Sequence, residues 1–289
     1  MSALVGTTPA IESAAPAPRP WSRWLRDRSF AIGMVILGVV ALLSLFAPLL
    51  TPYDPTAQDL SQFLLPPSRE HPLGTDHLGR DVWARLLYGG RIDLAIGVGA
   101  VLTPFVVGTL LGSLAGFYGG RFELAVSGTA DMVQAFPYYV LIIALVFVLG
   151  AGIPSIFVAM ALVAWVSYAR IVRGEVISIK EREFVQAARA AGLSDARILL
   201  RHILPNSITQ AIVYSMSDVV VIIVGVVTLS YLGLGVPPPT PEWGAMIAAG
   251  QTFIVSHWWL STIPGIAVIV VGLGFSLIGD GIAELLKPE

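Results

Sequence analysis

Long apolar runs separated by short polar segments dominate this sequence. A helix needs about 20 mainly apolar residues to cross the hydrocarbon core of a bilayer. A backbone in lipid must also satisfy its own hydrogen bonds, so each long run predicts a transmembrane helix. Six runs qualify, the fourth of them short: 30–50, 94–117, 124–149, 153–168, 211–234 and 258–278.

The segment between the fourth and fifth runs is charged and has helical periodicity. Its small and apolar residues recur on one side and predict an amphipathic helix. Gly192 follows where a helix end commonly needs a left-handed residue, and Ser194 is placed to cap a second helix that Pro205 is expected to close. The apolar face comprises Phe184, Val185, Ala187, Ala188 and Ala191.

This face suits two kinds of contact. Alanines bury little area at about 25 cal/mol per Å², so they anchor a helix poorly in lipid, but they allow close backbone approach. Insertion into a groove of another protein is therefore one interpretation. Resting on lipid headgroups is the other, and periodicity alone leaves the two level.

A second amphipathic pattern lies in the polar segment 51–91. Val82, Trp83, Leu86 and Leu87 mark one face of a short helix, which we expect to lie against the membrane surface. Capping of the bundle and a gate or docking surface remain open as its role.

Glycines recur every fourth residue along the second run, at positions 108, 112, 116 and 120. Such a stripe predicts close packing of that helix against another one.

Composition agrees with membrane insertion. The 289 residues are 55% hydrophobic and 12% charged, and the mean hydropathy is +0.79. The net charge of −2 points to no nucleic-acid partner. There are no cysteines, so disulfides, thiolate catalysis and cysteine-held metals are excluded.

The distribution of Lys and Arg predicts the orientation, since cytoplasmic flanks carry the excess. With the N-terminus inside, 13 of the 17 basic residues are cytoplasmic, and the other four lie in the first external loop. Both termini are therefore predicted to be cytoplasmic. The largest internal group is Arg170, Arg173, Lys180, Arg182, Arg189, Arg197 and Arg201.

No enzyme signature is present. Neither Lys180 nor Lys287 ends a phosphate-binding loop, and the four histidines form no zinc-protease pair. His71 and His77 lack a clear third ligand, so no metal site is predicted. No catalytic residue is assigned.

Polar and helix-breaking residues within the runs are the candidates for a pathway or gate: Asp131, Phe136, Pro137 and Asp218. Intramembrane acids often mark ion paths, which makes an ion-coupled secondary carrier the rival interpretation. Access of Asp131 to water and a hydrogen bond from Asp218 to a nearby serine or a neighbouring helix are the simpler explanations.

Family resemblance favours one interpretation. Gln186-Ala187-Ala188, Gly192 and His202-Ile203-Leu204-Pro205 are similar in spacing to the E-A-A, G, I-x-L-P signature of the membrane subunits of ABC importers. Gln186 replaces the usual acid, and His202 stands where isoleucine is usual. Five blocks resemble the dipeptide/oligopeptide permease branch: 46–55, 71–92, 167–192, 229–247 and 279–289.

The resemblance implies an all-α, type I ABC importer permease fold with six transmembrane helices in a bacterial inner membrane. It implies a peptide importer, with nickel or another small solute as alternative cargo. The partners would be a second homologous permease, one or two cytoplasmic ATPase subunits that hold ATP and Mg, and an external solute-binding protein. This chain would bind no cofactor itself.

The implied organisation divides the chain into a disordered cytoplasmic tail (1–29), a first helix with its external loop (30–91), a transmembrane domain (92–284) and a short tail (285–289). The loop 173–207 within it would couple to the ATPases. The docking residues implied are Phe184, Gln186, Ala187, Ala188, Ala191, Gly192, Leu193, Ser194, Asp195, His202 and Pro205.

Overall fold

The computed structural model describes residues 27–285, and every secondary-structure element named in that range is helical. The predicted N-terminal tail up to residue 26, and residues 286–289, lie outside the described part. The elements are α1 (Arg28–Leu45), α2 (Ala47–Leu50), a 3-10 turn (Leu60–Gln62), α3 (Val82–Tyr118), α4 (Gly120–Gln134), α5 (Tyr138–Leu149), α6 (Ile153–Lys180), α7 (Glu183–Ala190), α8 (Asp195–Ile198), a π-helical turn (Leu199–Ile203), α9 (Leu204–Tyr231), α10 (Trp243–Gln251) and α11 (Trp259–Leu285).

Membrane-spanning helices form the body of the fold. Five stretches are long and apolar enough to span a bilayer, and a bent pair, α4 with α5, makes a sixth if it counts as one span. The predicted all-α polytopic fold with six spans is confirmed in this form. α3 packs along α6, α1 lies on α11, and α9 contacts α3, α6 and α11.

Two ends of the bundle differ in character. We call the end that carries α7 and α8 the basic end, since the seven basic residues from Arg170 to Arg201 cluster around it. The opposite end, which carries residues 51–81 and 235–258, we call the loop end. It includes α10, a helix that the sequence patterns did not predict.

The first span is shorter than its apolar run. α1 ends at Leu45, and Pro48 lies in the first turn of α2 because proline cannot donate the hydrogen bond that would continue a helix. The guanidinium group of Arg91 donates to the freed carbonyls of Ser44 and Leu45, at 2.6 and 2.7 Å. The helix can therefore end here without leaving those two carbonyls unpaired.

The prediction that Val82 to Leu87 form a short amphipathic helix on the membrane surface is wrong. Val82 begins α3, which continues for 37 residues to Tyr118. Gly89 and Gly90 do not break it, because they face the ring of Trp243: a methyl group at Gly89 would lie 3.1 Å from Trp243 Cδ1. The missing side chains allow α10 to approach α3 closely.

The third span is not straight. α4 and α5 meet at an angle of 86°, and Pro137 caps α5. Proline removes one backbone donor and disfavours helix in the residue before it, so the run breaks here.

The glycine stripe packs as predicted over three of its four members. Methyl groups at Gly108 and Gly112 would each lie 2.4 Å from a carbonyl oxygen of α6, and one at Gly116 would lie 2.9 Å from another. Gly120 is different: it begins α4 with φ +63° and has open space beside it. The close contact of α3 with α6 therefore ends near Gly116.

Candidate functional site

The candidate docking element is the chain from 183 to 205, which we call the coupling segment. It follows the last turn of α6, forms α7 and α8, and leads through the π-helical turn into α9. A continuous helical path of 37 residues thus runs from Asp195 to Tyr231. α8 is therefore continuous with a membrane span.

A few apolar side chains anchor this segment to the bundle. Val185 of α7 is fully buried, as are Ile198 and Ile203 of the second half, and Leu199 is 5% exposed. Burial of a side chain of this size stabilises by about 1.5–3 kcal/mol. The segment is therefore held in place although most of its residues face outward.

The predicted apolar face of α7 divides into two. Phe184 is 42% exposed, and Ala187 and Ala191 are exposed on the same side. Ala188 is half-buried and packs against the chain's own core, one turn after Val185. The apolar part of the outward surface therefore consists of one large aromatic ring among small side chains.

Gly192 forms the turn between α7 and α8 as predicted. Its φ is +78°, a left-handed conformation that disfavours other residues. The Leu193 N–H donates to the Ala188 carbonyl at 3.2 Å, and the Gly192 N–H donates to the Arg189 carbonyl at 2.9 Å. These bonds close the end of α7 and fix the angle of α8.

Ser194 occupies the N-cap of α8, but its side chain accepts no hydrogen bond there. The exposed carboxylate of Asp195 lies in the first turn instead, where a negative charge is favoured by the helix dipole.

The prediction that Pro205 closes the second helix is wrong. The Leu204 N–H bonds to the Leu199 carbonyl, so one wide turn precedes the proline, and Pro205 lies in the first turn of α9. The wide turn accommodates the proline, which has no N–H to donate and would otherwise break a regular helix. His202 is half-buried, and its carbonyl accepts the Asn206 side chain at 2.6 Å.

Two contacts join the end of α3, one to the last residue of α6 and one to the coupling segment. Lys180 Nζ donates to the Gly116 carbonyl at 3.1 Å. The Arg189 guanidinium group lies 5.8 Å from the centre of the Phe117 ring, within cation–π range. Gln186 donates weakly to the Lys180 carbonyl at 3.4 Å rather than pairing with a charged group.

The predicted pathway residues do not form one cluster. Asp131 of α4 pairs with Arg170 of α6 at 2.6 Å, and the two side chains are 71% and 49% exposed. Phe136 is 59% exposed beside the break at Pro137. Asp131 is thus exposed on the surface of the chain and paired with Arg170.

Asp218 of α9 lies elsewhere, buried between helices. The hydroxyl group of Tyr168 on α6 donates to its carboxylate at 2.8 Å. This interhelical bond matches the prediction of a neighbouring-helix partner.

A cleft of about 590 Å³ opens between α6 and α9 toward the basic end. The sequence patterns did not predict its polar lining. The signal that could have done so is the spacing of four and three residues between Gln210, Tyr214 and Ser217 on α9. That lining is Arg170, Glu175, Gln210, Tyr214 and Ser217.

The histidines of the loop end do not form a metal cluster. Over residues 27–285, no group of three or more His, Asp or Glu residues is arranged to hold a metal ion. His71 Nδ1 instead lies 2.8 Å from the buried carboxylate of Asp81.

Comparison with known proteins agrees with this geometry. The family described as "Binding-protein-dependent transport system inner membrane component" matches residues 108–289. The family described as "N-terminal TM domain of oligopeptide transport permease C" matches residues 19–67.

Named relatives cover nearly the whole chain. The chain is 38% identical to the "Dipeptide transport system permease protein DppC" of Alkalihalophilus pseudofirmus, over 98% of this chain and 94% of that protein. It is 35% identical to the "Oligopeptide transport system permease protein OppC" of Bacillus subtilis, over 92% and 88%. A structure of inward-facing conformations of the MetNI methionine ABC transporter shares the fold, with a TM-score of 0.58, 16% identity and coverage of 70% of this chain and 97% of that one.

Proposed function

The chain belongs to the family of binding-protein-dependent transport system inner membrane components, and on this premise we propose that it is the permease subunit through which an ATP-driven importer carries peptides into a bacterial cell. The two relatives compared are named for dipeptide and oligopeptide transport, which supports a peptide as cargo. The basic end faces the cytoplasm in this proposal, in keeping with the distribution of Lys and Arg.

One observation carries the coupling role. The coupling segment exposes Phe184, Ala187 and Ala191 on one face and continues through α8 into the span of α9. A ring among small side chains suits insertion into a groove of a partner protein. In this proposal the grooves belong to cytoplasmic ATPase subunits, which bind ATP and Mg and hydrolyse the ATP.

Transport then follows from movement of helices. Closure of the ATPase subunits pushes α7 and α8, and Gly192 sets the angle at which this push enters α9. The cleft between α6 and α9 faces the path that a second, homologous permease completes, and an external binding protein delivers the solute.

Purification from membranes in mild detergent tests the proposal. Proteins and small molecules that co-purify with the tagged chain are identified by mass spectrometry. A second permease, an ATPase and a binding protein that releases peptides are the expected result. A homo-oligomer without an ATPase, reproduced after crosslinking in cells, would contradict it and favour a carrier.

A further inference from the structure

Two buried carboxyl groups meet where the start of α10 lies on α3. Asp93 of α3 is 2% exposed, and Glu242, the residue just before α10, is fully buried. The side chain of Asp93 lies within hydrogen-bonding distance of the side chain of Glu242. Trp243 joins the same contact: its backbone N–H donates to Asp93 Oδ2 at 3.0 Å, and its ring N–H donates to the Leu86 carbonyl at 2.9 Å. The start of α10 is therefore attached to α3 at this point.

Glu242 has the surroundings of an anion. Its Oε1 accepts the Gly244 N–H at 2.7 Å, and its Oε2 accepts the Ala245 N–H at 2.8 Å. These N–H groups belong to the first turn of α10, where they have no helical partner and where the helix dipole favours a negative charge. Both oxygens of Glu242 are thus hydrogen-bonded while the group is charged.

Asp93 does not have such surroundings. Its Oδ1 is buried and has no hydrogen-bond partner among the described residues. Buried polar atoms are nearly always hydrogen-bonded, because leaving one unpaired is costly. A second negative charge beside Glu242 is also unfavourable, since two like charges in a buried contact repel each other strongly. The contact therefore lacks a donor at Asp93 Oδ1 and carries one negative charge too many.

No basic side chain of residues 27–285 forms an ion pair with either carboxyl group. The arginines around the start of α3 are engaged elsewhere: Arg80 and Arg85 both pair with Asp76, at 2.7 and 3.5 Å, and Arg91 donates to two carbonyls at the end of α1.

The helices that pack around the contact add no further charge to it. α10 carries no charged residue, and the first one on α11, Asp280, lies near that helix's far end. The acid of α9, Asp218, accepts from the Tyr168 hydroxyl group. Among the described residues, Glu242 is the charged group that acts on Asp93. The missing donor must therefore come from a ligand that brings positive charge.

We propose that Asp93 and Glu242 form a proton-binding site, in which Asp93 carries the proton on Oδ1 and donates it to the Glu242 carboxylate. One proton satisfies the whole contact, because Oδ2 stays free to accept from Trp243 and each carboxylate oxygen can accept two hydrogen bonds. A hydrogen bond from a carboxylic acid to a carboxylate is also a strong one. The proton thus holds the start of α10 on α3, and its release leaves two adjacent buried anions. This inference does not rest on the proposed function.

Infrared spectroscopy tests for the proton itself. The purified full chain, in lipid nanodiscs at neutral pH, should show the carbonyl stretch of a buried carboxylic acid, and ¹³C in the aspartate carboxyl groups should shift that band. Asp93→Asn should remove it. Asp218→Asn is the matched control, since it makes the same change at another buried aspartate of a spanning helix and should leave the Asp93 band in place. The absence of a band in the unaltered chain, or a band that Asp93→Asn leaves unchanged, would overturn the proposal.

The pH dependence of unfolding gives a second readout. At neutral pH the unfolded chain releases the Asp93 proton and the folded chain keeps it, so unfolding releases one proton and stability falls as the pH rises. In mixed detergent micelles, the unfolding equilibrium constant should therefore rise about tenfold more per pH unit in the unaltered chain than in Asp93→Asn. The asparagine amide donates to Glu242 with no proton to lose. Asp59→Asn, at an exposed position of the loop end, should keep the full pH dependence, and equal slopes in the unaltered chain and Asp93→Asn would contradict the site.

Two further measurements complete the test. If Asp93→Asn does not fold, Glu242→Gln takes its place: Asp93 then has no anion beside it and a glutamine amide to accept from, so the acid band should disappear there as well. A metal ion is the other ligand that two carboxylates take. If sodium or calcium chloride, at constant ionic strength, raises the melting temperature of the unaltered chain but not of Asp93→Asn, the pair binds a metal cation and the proton-binding site is contradicted.

Discussion

The basic end and the loop end both contain many charged residues, but they use them in opposite ways. In the coupling segment Arg182, Glu183 and Arg189 are exposed, and burial falls on apolar residues such as Val185. Six charged or titratable residues of the loop end are each at most 8% exposed and bond to one another or to the backbone: His71, Asp76, Arg80, Asp81, Arg85 and Glu242. Exposed charges around a small-residue face leave a surface free for a partner, whereas buried charges fix the loops on the bundle.

Asp81→Ala should have the largest effect, and it acts on the buried network. It removes the partner of His71 and the N-cap of α3, whose carboxylate accepts the Ala84 N–H. We expect a loss of about 3 kcal/mol in unfolding free energy, because a buried polar group is left unpaired as well. Thermal unfolding in detergent measures this loss. Asp59→Ala, at an exposed cap in the same loop, is the control and should cost less than about 1 kcal/mol.

Ala187→Glu tests the opposite end, where function rather than stability should change. A carboxylate carried into a partner groove without a counter-charge should reduce peptide uptake by about a hundredfold while the melting temperature stays unchanged. Uptake into proteoliposomes and thermal unfolding give the two readouts. Ala151→Glu places the same charge on an exposed alanine at the other end of the bundle and should not affect uptake. Normal uptake by Ala187→Glu would remove the docking claim.

Val185→Ala tests whether the buried side of α7 holds the coupling segment in place while the exposed side does not. Loss of two buried methyl groups should weaken the attachment of the coupling segment by about 2 kcal/mol. Trypsin should then cut faster at Lys180, Arg182 or Arg189. Phe184→Ala, on the exposed face, should leave the cleavage rate unchanged, and equal rates in the two variants would contradict the division of the face.

Asp218→Asn should have the smallest effect. An asparagine oxygen still accepts from the Tyr168 hydroxyl group, and interhelical hydrogen bonds in membranes contribute about 0.6 kcal/mol on average. We expect uptake within about twofold of the unaltered chain, because the proposed importer takes its energy from ATP and not from an ion path through Asp218. Abolished uptake with intact assembly and ATPase activity would return the ion-coupled carrier to consideration.

Local patterns predicted some of these features well. Gly192 was identifiable because a left-handed residue is needed at the end of a helix, and Gly108 and Gly112 because small residues at fourfold spacing permit helix contact. Both are properties of one helix and its own sequence. The five spanning helices, and the bent pair that makes a sixth span if counted as one, were likewise predictable from apolar length alone.

Features that depend on distant parts of the chain were missed. α3 runs on past Gly89 because Trp243, far along the chain, fills the space beside it. Pro205 does not end its helix because a π-helical turn accommodates it. The sharing of Asp76 by two arginines also depends on the folded loop, since charged residues in a polar segment are usually expected in solvent.

Single-cysteine crosslinking shows whether the outward face of α7 docks into an ATPase. The chain has no cysteine, so Ala187→Cys or the control Ala151→Cys introduces a unique thiol. Membranes containing the importer are treated with a short bifunctional thiol reagent that also reacts with lysine, and the products are identified by mass spectrometry. We expect a crosslink from position 187 to an ATPase subunit and none from position 151. If position 187 contacts lipid and forms no crosslink to an ATPase that co-purifies with the chain, docking of α7 into the ATPase is contradicted.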